Sequence, residues 1–553
     1  MAANALRPGF LRQGICVCIK EDKTEFEVSR RDLFKLGGAA TVGALGMSAF
    51  GCAPDASSGI NADASDATAT PEFLQVPEPI TEFAETLEYD IVVVGAGESG
   101  LSAVHTAMEN GAHVACVQNL QTVQTTGNTS APIDPSLTSP DAYQACVSFI
   151  CETSGWRADR ALVNSWAQNS YEAITWWADA AAARGVESKP RHNVLNYHGY
   201  EIHFHTNTYF HTKGNHQAPA LVIAEALAEE GAEFFYSTPA VQLQTENGAV
   251  TGVVCQREDE SYVLFKAAKA VILCTGDYSG NREMLDYYAP DTRGFKIVSP
   301  WRDGSGMRMG MWAGAQMTPT THTKMIHGSQ TAMPFLSVDR HGKRFMPESV
   351  RMPSLNNIER RYLAADGFEN PTAGRFFTIM PSNWKELVDA WFEEDPTSCT
   401  VPTGSQIEKF LTADTVEELV AQMNQQAVEE GWSIDELTVE DVTAAIERYN
   451  ELCEKGADAD FGKDARYMIP IEAPYVAASA GTSTIPAILG GLIVNENGQC
   501  LDGNFQPIPG LLAAGNASGQ FYGGIDYPMD IGGLSVGRAV TSGFVAGRYA
   551  STL

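Results

Sequence analysis

Residues 90–100 read Asp90-Ile91-Val92-Val93-Val94-Gly95-Ala96-Gly97-Glu98-Ser99-Gly100. Four consecutive β-branched apolar residues fit a strand buried on both faces. The G-x-G-x-x-G spacing that follows fits a tight turn into a helix. There the missing side chains and the free N–H groups of the first helical turn let a pyrophosphate approach the backbone. Working outward, a helical stretch over Ser99–Asn110 and a second apolar run, Val114–Val117, complete a βαβ opening. An acidic residue at the end of the second strand normally takes the ribose hydroxyls. This chain carries Gln118 there, an amide that can hydrogen-bond a hydroxyl but lacks the charge assistance of a carboxylate.

The same alternation continues downstream. A helical region spans roughly 158–184, and Val250–Val254 and Ala270–Cys274 read as strands, so the expected core is a parallel sheet flanked by helices. Acidic helical segments, Val416–Glu429 and Val439–Lys455, set a middle stretch apart from the glycine-rich last sixty or so residues. The resulting plan is a Rossmann-like α/β dinucleotide-binding domain in two parts, 88–316 and 488–553, interrupted by an inserted α+β capping domain over 317–487. A chain of 553 residues is long enough for both.

The amino terminus has its own logic. Ser29-Arg30-Arg31-Asp32-Leu33-Phe34-Lys35-Leu36, followed by a small, weakly apolar stretch over 37–51, reads as a twin-arginine export signal. That stretch is too short and too rich in glycine and alanine for a membrane span. Ala49-Phe50-Gly51-Cys52 loosely resembles a lipobox, which would lipidate Cys52 and tether the protein to the membrane. Residues 1–52 are therefore read as the signal and 53–87 as a flexible linker, with the protein periplasmic or on the outer face of the cytoplasmic membrane.

Lys plus Arg number 37 against 68 for Asp plus Glu, a net charge of −31, and so acidic a surface argues against nucleic acid as a partner. Eleven cysteines include Cys16, Cys18 and Cys52 of the leader, and no C-x-x-C or C-x-x-C-H occurs. An attached c-type haem or a ferredoxin-like cluster therefore lacks its ligand spacing. Six of the eleven histidines, His192, His198, His203, His205, His211 and His216, crowd into one segment. No carboxylate or cysteine accompanies them at a familiar spacing, so they read as a polar loop or pocket wall and no metal is expected.

Three further segments join the glycine fingerprint: Thr125-Thr126-Gly127-Asn128-Thr129-Ser130, the run Ala270–Asp277 containing Thr275-Gly276-Asp277, and Pro507–Asn516 ending in Gly515-Asn516. Together they resemble the fumarate reductase and 3-ketosteroid dehydrogenase superfamily of flavoproteins over about residues 88–553. The resemblance implies FAD, with the inserted domain capping its isoalloxazine. It places Gly95, Gly97, Gly100 and Gln118 on the adenosine diphosphate half and Thr126, Gly127, Asn128, Thr129 and Ser130 along the flavin. Thr275, Gly276, Asp303, Gly304 and Asn516 follow the ribityl chain and ring, and Ser99, Val241, Asp277, Asn281, Gly515, Gly533, Leu534 and Ser535 also fall on the cofactor. No histidine occupies 126–130, where covalently flavinylated relatives carry one, so the FAD is expected to be noncovalent.

The resemblance also implies chemistry. Gly342-Lys343-Arg344-Phe345-Met346-Pro347-Glu348 is similar to a family motif that leads to a proton-donating arginine four residues past the glutamate. Here Arg351 comes three past it and is the candidate acid. The family's threonine-glutamate relay has no counterpart, its carboxylate-binding histidine maps near Ala487, and a second carboxylate-binding arginine maps to Asp530. These departures argue against fumarate or succinate. Tyr527 resembles the tyrosine with which ketosteroid dehydrogenases bind a substrate carbonyl. The first expectation is hydride transfer from reduced FAD to an activated C=C bond, with electrons from an external donor such as a membrane quinol-oxidising cytochrome. A ketosteroid-like dehydrogenase is the alternative, and a flavin-binding protein without activity a third.

Overall fold

The computed structural model describes residues 70–553 apart from 210–216, 328–333, 351–354, 356, 359–360, 362–373, 395–398, 400–401, 403, 433–436, 481–483, 525–526 and 529. The twin-arginine segment, Cys52 and the first part of the expected linker lie outside the described residues.

The strand–turn–helix at residues 90–100 is formed. Strand β1 (Glu85–Val94) runs into helix α1 (Glu98–Glu109), and β2 (Val114–Val117) returns parallel to β1 with Val93 opposite Cys116. Ile91–Val94 are buried, as their apolar run requires. Next come β3 (Thr129–Ser130), α2 (Pro140–Thr153), α3 (Arg160–Ala182) and the hairpin of β4 (Lys189–Tyr197) and β5 (Tyr200–Thr208). Ser139 and Asp159 cap α2 and α3 through their side chains. Helix α4 (Ala218–Glu229) leads to β6 (Glu233–Phe235), β7 (Ala240–Glu246), β8 (Ala249–Gln256) and β9 (Tyr262–Leu273). After these lie α5 (Arg282–Tyr288), β10 (Lys296–Ile297), α6 (Ser305–Trp312) and β11 (Lys324–His327).

The chain then builds β12 (Leu336–Val338), β13 (Phe376–Pro381), α7 (Trp384–Glu394), β14 (Leu411–Ala413), α8 (Val416–Glu429), α9 (Val439–Lys455) and β15 (Tyr475–Ala480). These strands form an antiparallel sheet of order β12-β13-β15-β14. Apolar clusters around Phe377, Met423 and Ile446, and around Trp391 and Tyr467, hold its helices. Strands β16 (Thr484–Ile488), β17 (Gln499–Leu501) and β18 (Pro507–Ala513) and helix α10 (Leu534–Ala550) complete the chain.

The main sheet has the order β17-β18-β9-β1-β2-β6, with the β7–β8 hairpin joined through β8 to β9. Strands β18, β9, β1, β2 and β6 are parallel, and apolar clusters cover both faces, the arrangement a continuous Val/Ile run demands. Strands β11 and β16, read from sequence as part of the inserted stretch, pair with each other, and β16 also pairs with β10. Their Ile326, Ile485 and Ile488 share a cluster with β1 and β9, so burial ties them to the main sheet. The end of the expected linker is also docked. Phe73 is buried against Tyr287 and Tyr288, with ring centroids 5.4 and 5.6 Å away, and its carbonyl accepts a bond from Trp312 Nε1. Among the described residues no helix is long and apolar enough to cross a membrane.

Helices α1 and α10 meet backbone to backbone. A Cβ on Gly543 would stand 1.9 Å from the Ser99 carbonyl oxygen, and one on Gly547 2.2 Å from that of Ala103. Thr106 Oγ1 seals the contact by donating to the Phe544 carbonyl at 2.9 Å. Alanine in a helix is otherwise favoured over glycine by up to about 1 kcal/mol. Gly543→Ala is therefore expected to reverse that sign and cost roughly 1–3 kcal/mol through overpacking, read as a lowered urea midpoint together with a reduced flavin content.

Candidate active site

A cleft of about 680 Å³ opens at the carboxyl ends of β1, β2 and β9, the position that open α/β sheets use for ligands and a size typical of cofactor sites. Its wall is assembled from segments far apart in sequence. The β1–α1 turn contributes Gly95, Gly97 and Ser99, the end of β2 contributes Gln118, and the loop before β3 contributes Thr126, Gly127, Asn128 and Thr129. Val241, Thr275, Gly276 and Asp303 follow, then Gly515, Asn516, Tyr527, Gly533 and Ser535. The fingerprint and the three accompanying motifs thus converge on one space.

The remaining expected cofactor residues stand behind this wall. A Cβ on Gly100 would lie 1.8 Å from the Gly95 carbonyl oxygen, so Gly100 lets α1 close onto the turn. Gly304 takes a left-handed φ of 72° and caps α6 against Tyr278 and Met284. Asn281 caps α5 through Met284 N and donates from Nδ2 to the Asp303 carbonyl at 3.2 Å. Ser130 is buried beside Gly533, and Leu534 packs in an apolar cluster. Asp277 is wholly buried and accepts a bond from Arg302 NH1 at 2.7 Å.

The wall suits an anionic, many-armed cofactor. Gly97 at the start of α1 offers no capping side chain, and the first turn of the helix, Glu98 and Ser99, lines the cleft. Thr275 Oγ1 is buried and has no hydrogen-bond partner among the described residues, an orphan of the kind a bound ligand satisfies. Gln118 spends Nε2 on the Thr122 carbonyl at 3.0 Å. A family model for the FAD binding domain matches residues 90–527. The chain belongs to this FAD-binding family.

This FAD-dependent oxidoreductase is 29% identical over 515 residues to a vinyl phenol reductase of Lactiplantibacillus plantarum, with 84% of this chain and 96% of the relative covered. A urocanate reductase of Eggerthella lenta is 25% identical, covering 87% of this chain and 76% of its own length. Among solved structures, a 3-ketosteroid Δ4-(5α)-dehydrogenase of Rhodococcus jostii shares the fold. Its TM-score is 0.62 at 21% identity, over 85% of this chain and 98% of that one.

Several residues that sequence reading passed over also line the cleft: Glu98, Trp301, Arg302, Arg308 and Met325. Arg302 NH2 donates to Thr126 Oγ1 at 2.7 Å, and Arg308 NH2 pairs with Asp303 at 3.1 Å. Burial raises the pKa of the Glu98 carboxyl, partly offset by its own N–H, Arg302 and the Gly127 N–H. Tyr527 lines the cleft, but its hydroxyl is engaged within the chain. It accepts from Ser535 N at 3.0 Å and donates to the Ile531 carbonyl at 3.4 Å, and burial lifts its pKa well above the usual tyrosine value. Ala487 lines the cleft and Asp530 does not, so the like-charge contact expected of Asp530 is not made by this wall. His203 Nδ1 lies 3.1 Å from His192 Nε2 on the β4–β5 hairpin. Among the described residues no group of three or more His, Cys, Asp or Glu is arranged to hold a metal ion. His211 and His216 lie outside the described residues, as does Arg351.

The motif before Arg351 is a buried ion lock. Arg344 grips Glu348 through two bonds of 2.9 Å and Asp458 through bonds of 3.0 and 2.7 Å, while Lys463 Nζ sits 3.2 Å from Glu348. Burial alone would raise the Asp458 pKa, but Arg344 and the N–H groups of Lys463 and Phe461 outweigh it and hold the carboxyl far below the usual carboxylate range. A depressed folded pKa adds stability above the unfolded value of about 4 and loses it as pH falls through the folded one. Asp458→Asn should cost roughly 3–5 kcal/mol at neutral pH, and in urea titrations the gap to wild type should narrow below about pH 4.

Proposed function

We propose that the chain is a reductase that transfers hydride to a C=C bond conjugated to an aromatic ring or carbonyl, in a small acceptor other than a dicarboxylate. FAD, when bound, supplies the two-electron hydride chemistry. The observation that carries the reading is the charge balance of the cleft. Arg302 and Arg308 are the basic residues of its wall among the described residues, and each is already matched by a carboxylate, Asp277 or Asp303. Glu98 adds a further carboxyl, and Ala487 stands where a carboxylate-binding histidine is expected. Among the described residues no side-chain cation of the wall is left unmatched for the two carboxylates of a substrate, whereas Tyr527, Met325 and Trp301 offer surface to an uncharged conjugated system. Similarity to the vinyl phenol reductase along nearly its whole length supports the same class.

Tyr527 supports the reductive direction. A dehydrogenase using it would need a free hydroxyl, and this one is spent on Ser535 and Ile531. In the proposal Arg351 donates the proton, the FAD is noncovalent, and electrons arrive from an external donor such as a membrane quinol-oxidising cytochrome. The protein is exported by the twin-arginine route, with Cys52 as the candidate lipid anchor.

Anaerobic oxidation of reduced viologen by the FAD-loaded protein should proceed with hydroxystyrenes, enones or urocanate-like acrylates and run at least about tenfold slower with fumarate. Fumarate turned over as fast as the best aryl or acryl acceptor would sink the proposal. Arg351→Gln should retain FAD yet lose about 10²-fold or more in kcat, the usual contribution of a positioned acid. An unchanged kcat would remove Arg351 from that role.

A further inference from the structure

The sequence motif containing Asp277 suggested direct contact with the cofactor. The structure puts Asp277 one layer back, completely buried, with Oδ1 accepting Ser279 N at 2.8 Å and Oδ2 accepting Arg302 NH1 at 2.7 Å. Arg302 stands in front of it on the cleft wall. Its NH2 donates to Thr126 Oγ1 at 2.7 Å, NH1 also reaches the Pro486 carbonyl at 3.4 Å, and its Nε lies 3.7 Å from where a Gly276 Cβ would be. Three partners from three segments therefore fix a planar guanidinium at one orientation, leaving donors toward the cleft.

We propose that Arg302, held by Asp277, tunes the bound flavin: the cation faces the cleft, favours the negative charge gained on reduction, and thereby raises the flavin midpoint potential. Asp277 is the positioning residue. The pair is neutral as a whole, which is why it does not serve a free dianion, but it is oriented. Its positive end lines the cleft and its negative end is buried, so a charge developing against the wall meets the cation first. A preset orientation of this kind needs no rearrangement when the electrons arrive. Two carboxylates of the wall oppose it: Asp303, which is matched by Arg308, and Glu98, near Gly127, where a glycine Cβ would stand 3.9 Å from Glu98 Oε1. Burial favours the protonated form of that carboxyl, which weakens its opposition.

The proposal rests on FAD binding alone and needs no acceptor, so it can fail while the substrate reading stands, and the reverse. The test uses the full-length holoprotein, with flavin content read from its visible absorption and folding from thermal unfolding. Midpoint potentials are then measured by equilibration with reference dyes. The double variant Asp277→Asn/Arg302→Gln removes the ion pair without stranding a buried charge. It should lower the potential by at least about 30 mV, a tenfold loss in relative affinity for reduced over oxidised flavin in a two-electron couple. Arg302→Lys keeps the charge and should retain more than half of that difference. Thr126→Val, a smaller change at the wall that removes one of the bonds holding the guanidinium, should move the potential in the same direction and covers the case in which the double variant does not fold. A folded, flavin-loaded double variant with the wild-type potential would overturn the proposal and leave the pair a stability element. So would an unshifted Thr126→Val if the double variant cannot be made.

Discussion

Everything about the cofactor cleft depends on how closely α1 and α10 approach. Helix α1 starts at the glycine fingerprint and α10 lies at the far carboxyl end of the chain, yet Gly543 and Gly547 let their backbones touch at Ser99 and Ala103. With that contact made, Gly95 and Gly97 face Gly515, Gly533 and Ser535 across one space. A single methyl group at the crossing would push the two walls apart, because the atoms it meets are backbone carbonyls that cannot rotate away. The parallel β1–β9–β18 core sets the same geometry from below, since the ends of all three strands feed the cleft.

Charge is handled in a second consistent way. The chain carries −31 overall, but Arg302 at the cleft and Arg344 in the Gly342–Glu348 motif are paired with buried carboxylates, and Arg308 at the cleft with the exposed Asp303. Burying such groups is costly unless a partner of opposite charge is close and hydrogen-bonded. Arg344 meets that condition with four bonds to two carboxylates and with stacking on Phe461 and Tyr449. Arg302 meets it with Asp277, Thr126 and Pro486. The two differ in what they face: Arg344 is enclosed in its own ion network, while Arg302 borders the space where the cofactor binds.

Much of the site was legible because its signals are local. A strand–turn–helix with G-x-G-x-x-G implies its own geometry within eleven residues, and the Thr125–Ser130, Thr275–Asp277 and Gly515–Asn516 segments each resemble a family pattern. What could not be read is which member of a motif faces the ligand. Gly100, Gly304, Asn281 and Asp277 sit in the right places in the chain but serve as spacers, caps and a counter-charge one layer behind the wall. Arg302 and Glu98 carried no signal at all, since a single charged residue beside a motif looks like solvent-facing charge until its partners are known. The last residues of the expected linker looked like tether by composition, yet one phenylalanine, Phe73, was enough to dock them.

The sequence by itself determined the class of fold, because hydrophobic period and glycine spacing act over a few residues and need no knowledge of distant ones, and the resemblance of its ordered motifs to a flavoprotein superfamily implied the cofactor. It also pointed away from dicarboxylates through residues that are absent. Only the tertiary structure decided that Tyr527 turns its hydroxyl to the backbone, that the wall's cations are already matched, and that Asp277 reaches the cleft only through Arg302. Those facts are relations between side chains brought together by folding, where a bond of 2.7 Å joins residues 25 positions apart in sequence. Orientation of that kind is a property of packing.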